Sequence, residues 1–102
     1  MEEYKYTRSE QIQVTANAVS QQVFFSQDVY FVEVWNVGFL FEQEDPGIVA
    51  YVHEEGNIPA NINTDTMVLW LPLTMNRLVR KEIGISVITG GGNVDLRITG
   101  RY

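Results

Sequence analysis

The chain has 102 residues, 45% hydrophobic and 20% charged, with a formal net charge of −6; this is the length of one domain and the composition of a folded globular protein. Two lysines, Lys5 and Lys81, and five scattered arginines form neither a basic face that would displace counterions from a phosphate backbone nor a polybasic segment for anionic lipid, which argues against nucleic acid and membrane as partners. Cysteine is absent, which removes disulfides, thiolate nucleophiles and cysteine-ligated zinc.

The N-terminal M-E-E-Y-K-Y is acidic and polar, unlike a secretory signal, and the longest purely apolar run, residues 67–71, falls far short of the roughly 20 residues a membrane-spanning helix needs. The expectation is a soluble protein made in a cytoplasm, with residues 1–9 as an N-terminal arm and the whole chain as a single domain. In I-Q-V-T-A-N-A, Ile12, Val14, Ala16 and Ala18 alternate with Gln11, Gln13, Thr15 and Asn17, the period of a half-buried strand. Val23, Phe24 and Phe25 form a short apolar piece before a turn at residues 26–28. Residues 29–41, V-Y-F-V-E-V-W-N-V-G-F-L-F, are apolar on both faces apart from Glu33, Asn36 and Gly38. They predict a central strand, too long to run straight, that bends near Asn36 and Gly38.

E-Q-E-D-P-G then predicts a turn at Pro46 and Gly47, and I-V-A-Y-V-H returns as a strand. Residues 54–66, rich in Asn and without sustained period, predict the longest loop. M-V-L-W-L-P-L-T predicts a strand that Pro72 confines to a sheet edge or terminates, because proline cannot donate a ladder hydrogen bond. R-L-V-R-K-E-I-G-I-S-V-I-T becomes strongly β-branched and leads into the last glycine run.

That run, T-G-G-G-N-V-D-L-R-I-T, poses a choice between a phosphate loop and a turn. A phosphate loop must open a helix, yet Val94, Leu96 and Ile98 alternate with Asp95, Arg97 and Thr99, and no Lys-Ser or Lys-Thr follows the glycines. The reading is a C-terminal β-hairpin, in which a loop at residues 90–93 sets Thr89 against Val94, Val87 against Leu96 and Ile85 against Ile98, all on one face.

Chemistry-bearing residues are sparse. His53 is the one histidine, and Ser9, Ser20, Ser26 and Ser86 the only serines; none of them sits in a Gly-x-Ser-x-Gly elbow. The acidic clusters Glu42, Glu44, Asp45 and Glu54, Glu55 are separated by a strand of about 20 Å, too far for a glycosidase pair. Asn61, Asn63 and Asp65 have alternating spacing, but Thr66 and Pro72 replace the glycine and glutamate of an EF-hand. No catalytic, cofactor or metal residue is assigned. The candidate binding loop is His53, Glu54, Glu55, Asn57, Asn61, Asn63 and Asp65. Trp35, Trp70 and Tyr51 lie on apolar strands, where core packing is the default; the same rings are the candidate platform of the alternative reading, a carbohydrate-binding β-sandwich module with a glycan as partner. Tyr4, Tyr6, Trp70, Pro72, Arg101 and Tyr102 are the candidate interface, as edge-strand and terminal aromatic or cationic residues suited to a neighbouring subunit.

About eight short strands predict an all-β fold, a compact antiparallel β-sandwich with jelly-roll or Greek-key connection. In being all-β, cysteine-free, made in the cytoplasm and devoid of a catalytic constellation, the chain resembles the small β-sandwich structural proteins of virions, such as capsid, decoration or tail-associated subunits of bacteriophages. The resemblance is architectural and carries over no functional residue. It implies a non-enzymatic subunit whose partners are copies of itself or other structural subunits, located in the virion.

Overall fold

The computed structural model describes residues 6–38 and 48–102. Eight strands form there: β1 Ser9–Ala16, β2 Gln21–Val23, β3 Phe31–Asn36, β4 Ala50–His53, β5 Thr66–Val68, β6 Leu73–Met75, β7 Ile85–Thr89 and β8 Val94–Arg101. They make two four-stranded sheets, ordered β1-β8-β3-β6 and β2-β7-β4-β5. Every pairing is antiparallel. The pairs β1–β8, β2–β7, β3–β6 and β4–β5 nest like the rungs of one long double strand, and rolling that double strand up brings β3 beside β8 and β4 beside β7. This is the jelly-roll connection, one of the two that the strand count allowed.

Period-2 alternation supplies the layer between the sheets. Ala16, Val32, Val34, Leu96 and Ile98 from the first sheet meet Ala50, Val68, Ile85 and Val87 from the second, all of them fully buried. Ile12, Val14, Leu73, Met75 and Tyr102 pack around this core. At one end of the sandwich the connections are tied to one another. The Glu10 carboxylate accepts from the Ser26 amide and hydroxyl, the Lys81 amide donates to Asp28, and Val29 and Val79 form an isolated bridge.

The expected C-terminal hairpin is corrected by this topology. Ile85, Val87, Leu96 and Ile98 do all face the core, but β7 and β8 belong to opposite sheets and are not hydrogen-bonded to each other. β8 pairs with β1 and β3, β7 with β2 and β4. A hairpin and a corner between sheets point the same residues inward, so side-chain alternation is blind to the difference. The turn itself is held by Thr89, whose hydroxyl donates to the Gly92 carbonyl and accepts from the Gly91 amide. Gly92, at φ +79°, takes a backbone conformation that favours glycine.

Two other elements are shorter than expected. The strand predicted at residues 67–74 breaks at 69–72, so that β5 and β6 lie in different sheets; Pro72 stands at the break, and both pieces are sheet edges. Within residues 29–41, β3 ends at Asn36, where the bend was expected. Pro46, Gly47 and the cluster Glu42, Glu44 and Asp45 lie outside the described residues. Neither Trp35 nor Tyr51 packs in the core. Each alternates with buried neighbours, Trp35 with Val34 and Asn36, Tyr51 with Ala50 and Val52, and so faces outward.

Candidate functional site

Register places His53 on the outer face of the second sheet, directly across from Ser86 of β7 and beside Asp65. A serine, a histidine and an acid thus stand in one row, an arrangement that the spacing of Ser86 and His53 along the chain does not suggest. Their hydrogen bonds point elsewhere. The buried Ser86 hydroxyl donates to the Ile58 carbonyl at 2.7 Å, and His53 Nδ1 accepts from the Glu55 amide at 3.0 Å. The remaining nitrogen, Nε2, lies 3.9 Å from Asp65 Oδ1, and a proton relay needs shorter contacts and a free acceptor on the ring.

The rest of the candidate loop divides between a cleft and a turn. His53, Glu54, Glu55 and Asp65 line a cleft of about 500 Å³ that is closed on its other side by Thr74 and Met75 of β6. Glu54 is ion-paired with Arg77. Asn61 and Asp65 close a turn on each other: the Asn61 amide donates to Asp65 Oδ2, the Asp65 amide to the Asn61 carbonyl, and the Asn63 amide to Asn61 Oδ1. Asn61 Oδ1 and Asp65 Oδ2, two of the oxygens a calcium ion would need, accept from the loop's own backbone. Among the described residues no group of three or more His, Asp or Glu is placed to hold a metal ion. Asn57 is exposed. Ala60, by contrast, is buried and its amide donates to Ser20, so the loop is strapped across the sheet instead of standing free.

The candidate interface residues separate into two places. Trp70 and Leu71 project from the β5–β6 turn, 65% and 61% exposed, and Met67 on β5 is 53% exposed; Pro72 is half-buried beside them. On the outer face of the first sheet, Tyr6 and Arg101 meet in a cleft of about 310 Å³ together with Phe31 and Glu33 of β3. Tyr6 stacks on Tyr30, with ring centroids 6.1 Å apart and planes inclined by 3°. Tyr102 belongs to neither place. It packs against the core and exchanges two backbone hydrogen bonds with Arg8, so it extends the β1–β8 ladder instead of projecting toward a neighbour. Tyr4 lies outside the described residues.

Searches of known family models, of curated proteins and of solved structures return no match to this chain. Its site is read from its own residues.

The proposed sugar platform of Trp35, Trp70 and Tyr51 is not assembled: Trp35 is on the outer face of the first sheet, Tyr51 on that of the second, and Trp70 on the turn between them. Phe31 and Glu33, which the sequence does not mark as site residues, line the cleft with Tyr6 and Arg101. The signal was present in β3, since the charge of Glu33 marks the outer face of the strand and period-2 spacing puts Phe31 and Trp35 on that same face.

Proposed function

We propose that the protein is a non-enzymatic structural subunit that self-associates, or docks onto a larger assembly, through the side of the sandwich edged by β5 and β6. The observation that carries this reading is the consecutive exposure of Trp70 and Leu71 on the turn joining those strands, with Met67 on the adjoining strand. Soluble monomers seldom present large neighbouring apolar groups in this way unless another surface covers them. β5 and β6 are the terminal strands of their sheets, so backbone groups on that side can pair with a further strand.

The opposite side, edged by β1 and β2, is built differently. The outward residues of β1 are Gln11, Gln13 and Thr15, the exposed Val19 and Phe24 stand singly on either side of β2, and the Gln21 side-chain Nε2 donates to the Thr15 carbonyl, which occupies an acceptor on that edge. Association is therefore assigned to the Trp70 side. A virion component, whether capsid, decoration or tail-associated, is the finer form of the proposal. Its support is the jelly-roll order, which viral capsid domains share with lectins and cupins, so the weight rests on the exposed turn.

Light scattering over a concentration series is expected to show a mass that rises with concentration, and a variant carrying Trp70→Ser and Leu71→Ser is expected to stay monomeric with an unchanged far-UV spectrum. A wild-type chain that remains monomeric at its highest attainable concentration would sink the proposal.

A further inference from the structure

We propose that the outer face of the first sheet, at the cleft formed by Tyr6, Phe31, Glu33 and Arg101, binds a neutral saccharide. This proposal does not depend on self-association at Trp70.

Antiparallel register sets out the chemistry of the face. Phe31 lies beside Arg101, Glu33 beside Thr99, and Trp35 beside Arg97; Gln11 and Gln13 continue the rows of Thr99 and Arg97 on β1. Rings thus alternate with planar polar groups along β3. A pyranose has the matching pattern, with an apolar C–H face that lies on an aromatic ring and a rim of hydroxyls that seek planar partners. The volume of about 310 Å³ lies at the low end of the roughly 300–1,000 Å³ of small-molecule sites, a size for one or two sugar rings.

The charged pair selects for hydroxyls. Glu33 Oε1 and Arg101 Nη2 are 3.8 Å apart, close enough to cancel each other's charge and too far for a direct hydrogen bond. The carboxylate only accepts and the guanidinium only donates. A hydroxyl between them can donate to Glu33 and accept from Arg101 at once, whereas a carboxylate oxygen can only accept and an ammonium can only donate. A phosphate or sialate would meet Glu33, and a net charge of −6 adds to that repulsion. Trp35, four residues along β3 from Phe31 and so about 13 Å away at the rise of a strand, provides a second ring for a longer oligosaccharide.

The test is a printed array of neutral gluco-, galacto- and manno-oligosaccharides together with sialylated glycans, read with the wild-type chain, Phe31→Ala, Glu33→Gln and Trp70→Ser. The wild type is expected to bind a subset of the neutral glycans. Phe31→Ala and Glu33→Gln are each expected to weaken that binding by about tenfold or more, and Trp70→Ser to leave it unchanged. Glu33→Gln preserves shape at a half-buried position, so it remains informative if Phe31→Ala does not fold. Absence of binding to any neutral glycan, preference for the sialylated ones, full binding by Glu33→Gln, or loss of binding in Trp70→Ser would each overturn the proposal.

Discussion

Replacing Gly84 by alanine is expected to lower the unfolding free energy by about 3 kcal/mol, the sum of a left-handed backbone cost and a steric one. Gly84 has φ +66°, and a Cβ there would run into the carbonyl of Val23. That carbonyl belongs to β2, whose Val23 pairs with Ile85 immediately after the glycine, so the backbone cannot yield without opening β2–β7 pairing. The Gly84 carbonyl also accepts from the Gly56 amide. A Cβ on Gly56 would in turn strike the carbonyl of Ile83, so three backbone segments are in contact at this end of the sandwich. For a domain of this size the melting temperature should fall on the order of 15 °C. Gly90→Ala is the control. No atom lies within 4 Å of its added Cβ and its φ is not in the left-handed region, so stability should be unchanged or rise by up to about 1 kcal/mol. Thermal unfolding followed by circular dichroism reads all three proteins; equal midpoints for Gly84→Ala and Gly90→Ala would refute the close-approach argument.

Asn36→Ala is expected to cost a similar amount, about 3 kcal/mol, by a different route. Asn36 is buried at the end of β3, and its Nδ2 donates to the carbonyls of Ile48, at 2.7 Å, and Val68, at 3.2 Å. One side chain thus joins the first sheet to β5 of the second and to the residues leading into β4. Truncation leaves two acceptors without this donor, at about 1–3 kcal/mol for each one left unsatisfied. The amides of β5 should then exchange with solvent faster, an effect readable by hydrogen exchange. Asn36→Asp sharpens the test. Its carboxylate would face two carbonyl oxygens, so the folded state favours the neutral acid and the folded pKa rises above the unfolded value of about 3.9. The unfolded chain then binds fewer protons than the folded one over the intervening range, and stability falls as pH rises. Relative to the wild type, the deficit should be smallest near pH 4 and grow toward pH 7; a deficit that shrinks with rising pH would contradict the assigned geometry.

Both predictions concern residues that looked ordinary in the sequence. Gly84 stood as a single glycine before a β-branched run, and Asn36 as a polar interruption of an apolar segment. Their importance comes from partners 61 and 32 positions away, Val23 and Val68, which only the rolled-up sheet order brings near. The candidate site divides in the same way. Tyr6 and Arg101 were singled out from opposite ends of the chain, and the structure places them in one cleft. Phe31 sits in a segment whose sequence is apolar on both faces, and Glu33 stands in it as a polar exception with no partner that the sequence identifies. Tyr102 read as a free end, yet the hydrogen bonds with Arg8 make it a part of the ladder.

By itself the sequence determined the all-β class, the approximate number of strands, the inward face of β1, β7 and β8, and the confinement of the Pro72 region to sheet edges. These are local consequences of period-2 alternation and of a residue that cannot donate to a ladder. Tertiary structure alone decided which strands pair. Ile85, Val87, Leu96 and Ile98 satisfy hydrophobic burial equally in a hairpin and across two sheets. The choice fell to the corner at residues 90–93 because β1 and β3 take both edges of β8 while β2 and β4 take both edges of β7. Each strand has two hydrogen-bonding edges, and once both are filled by distant segments no edge remains for the neighbour in sequence.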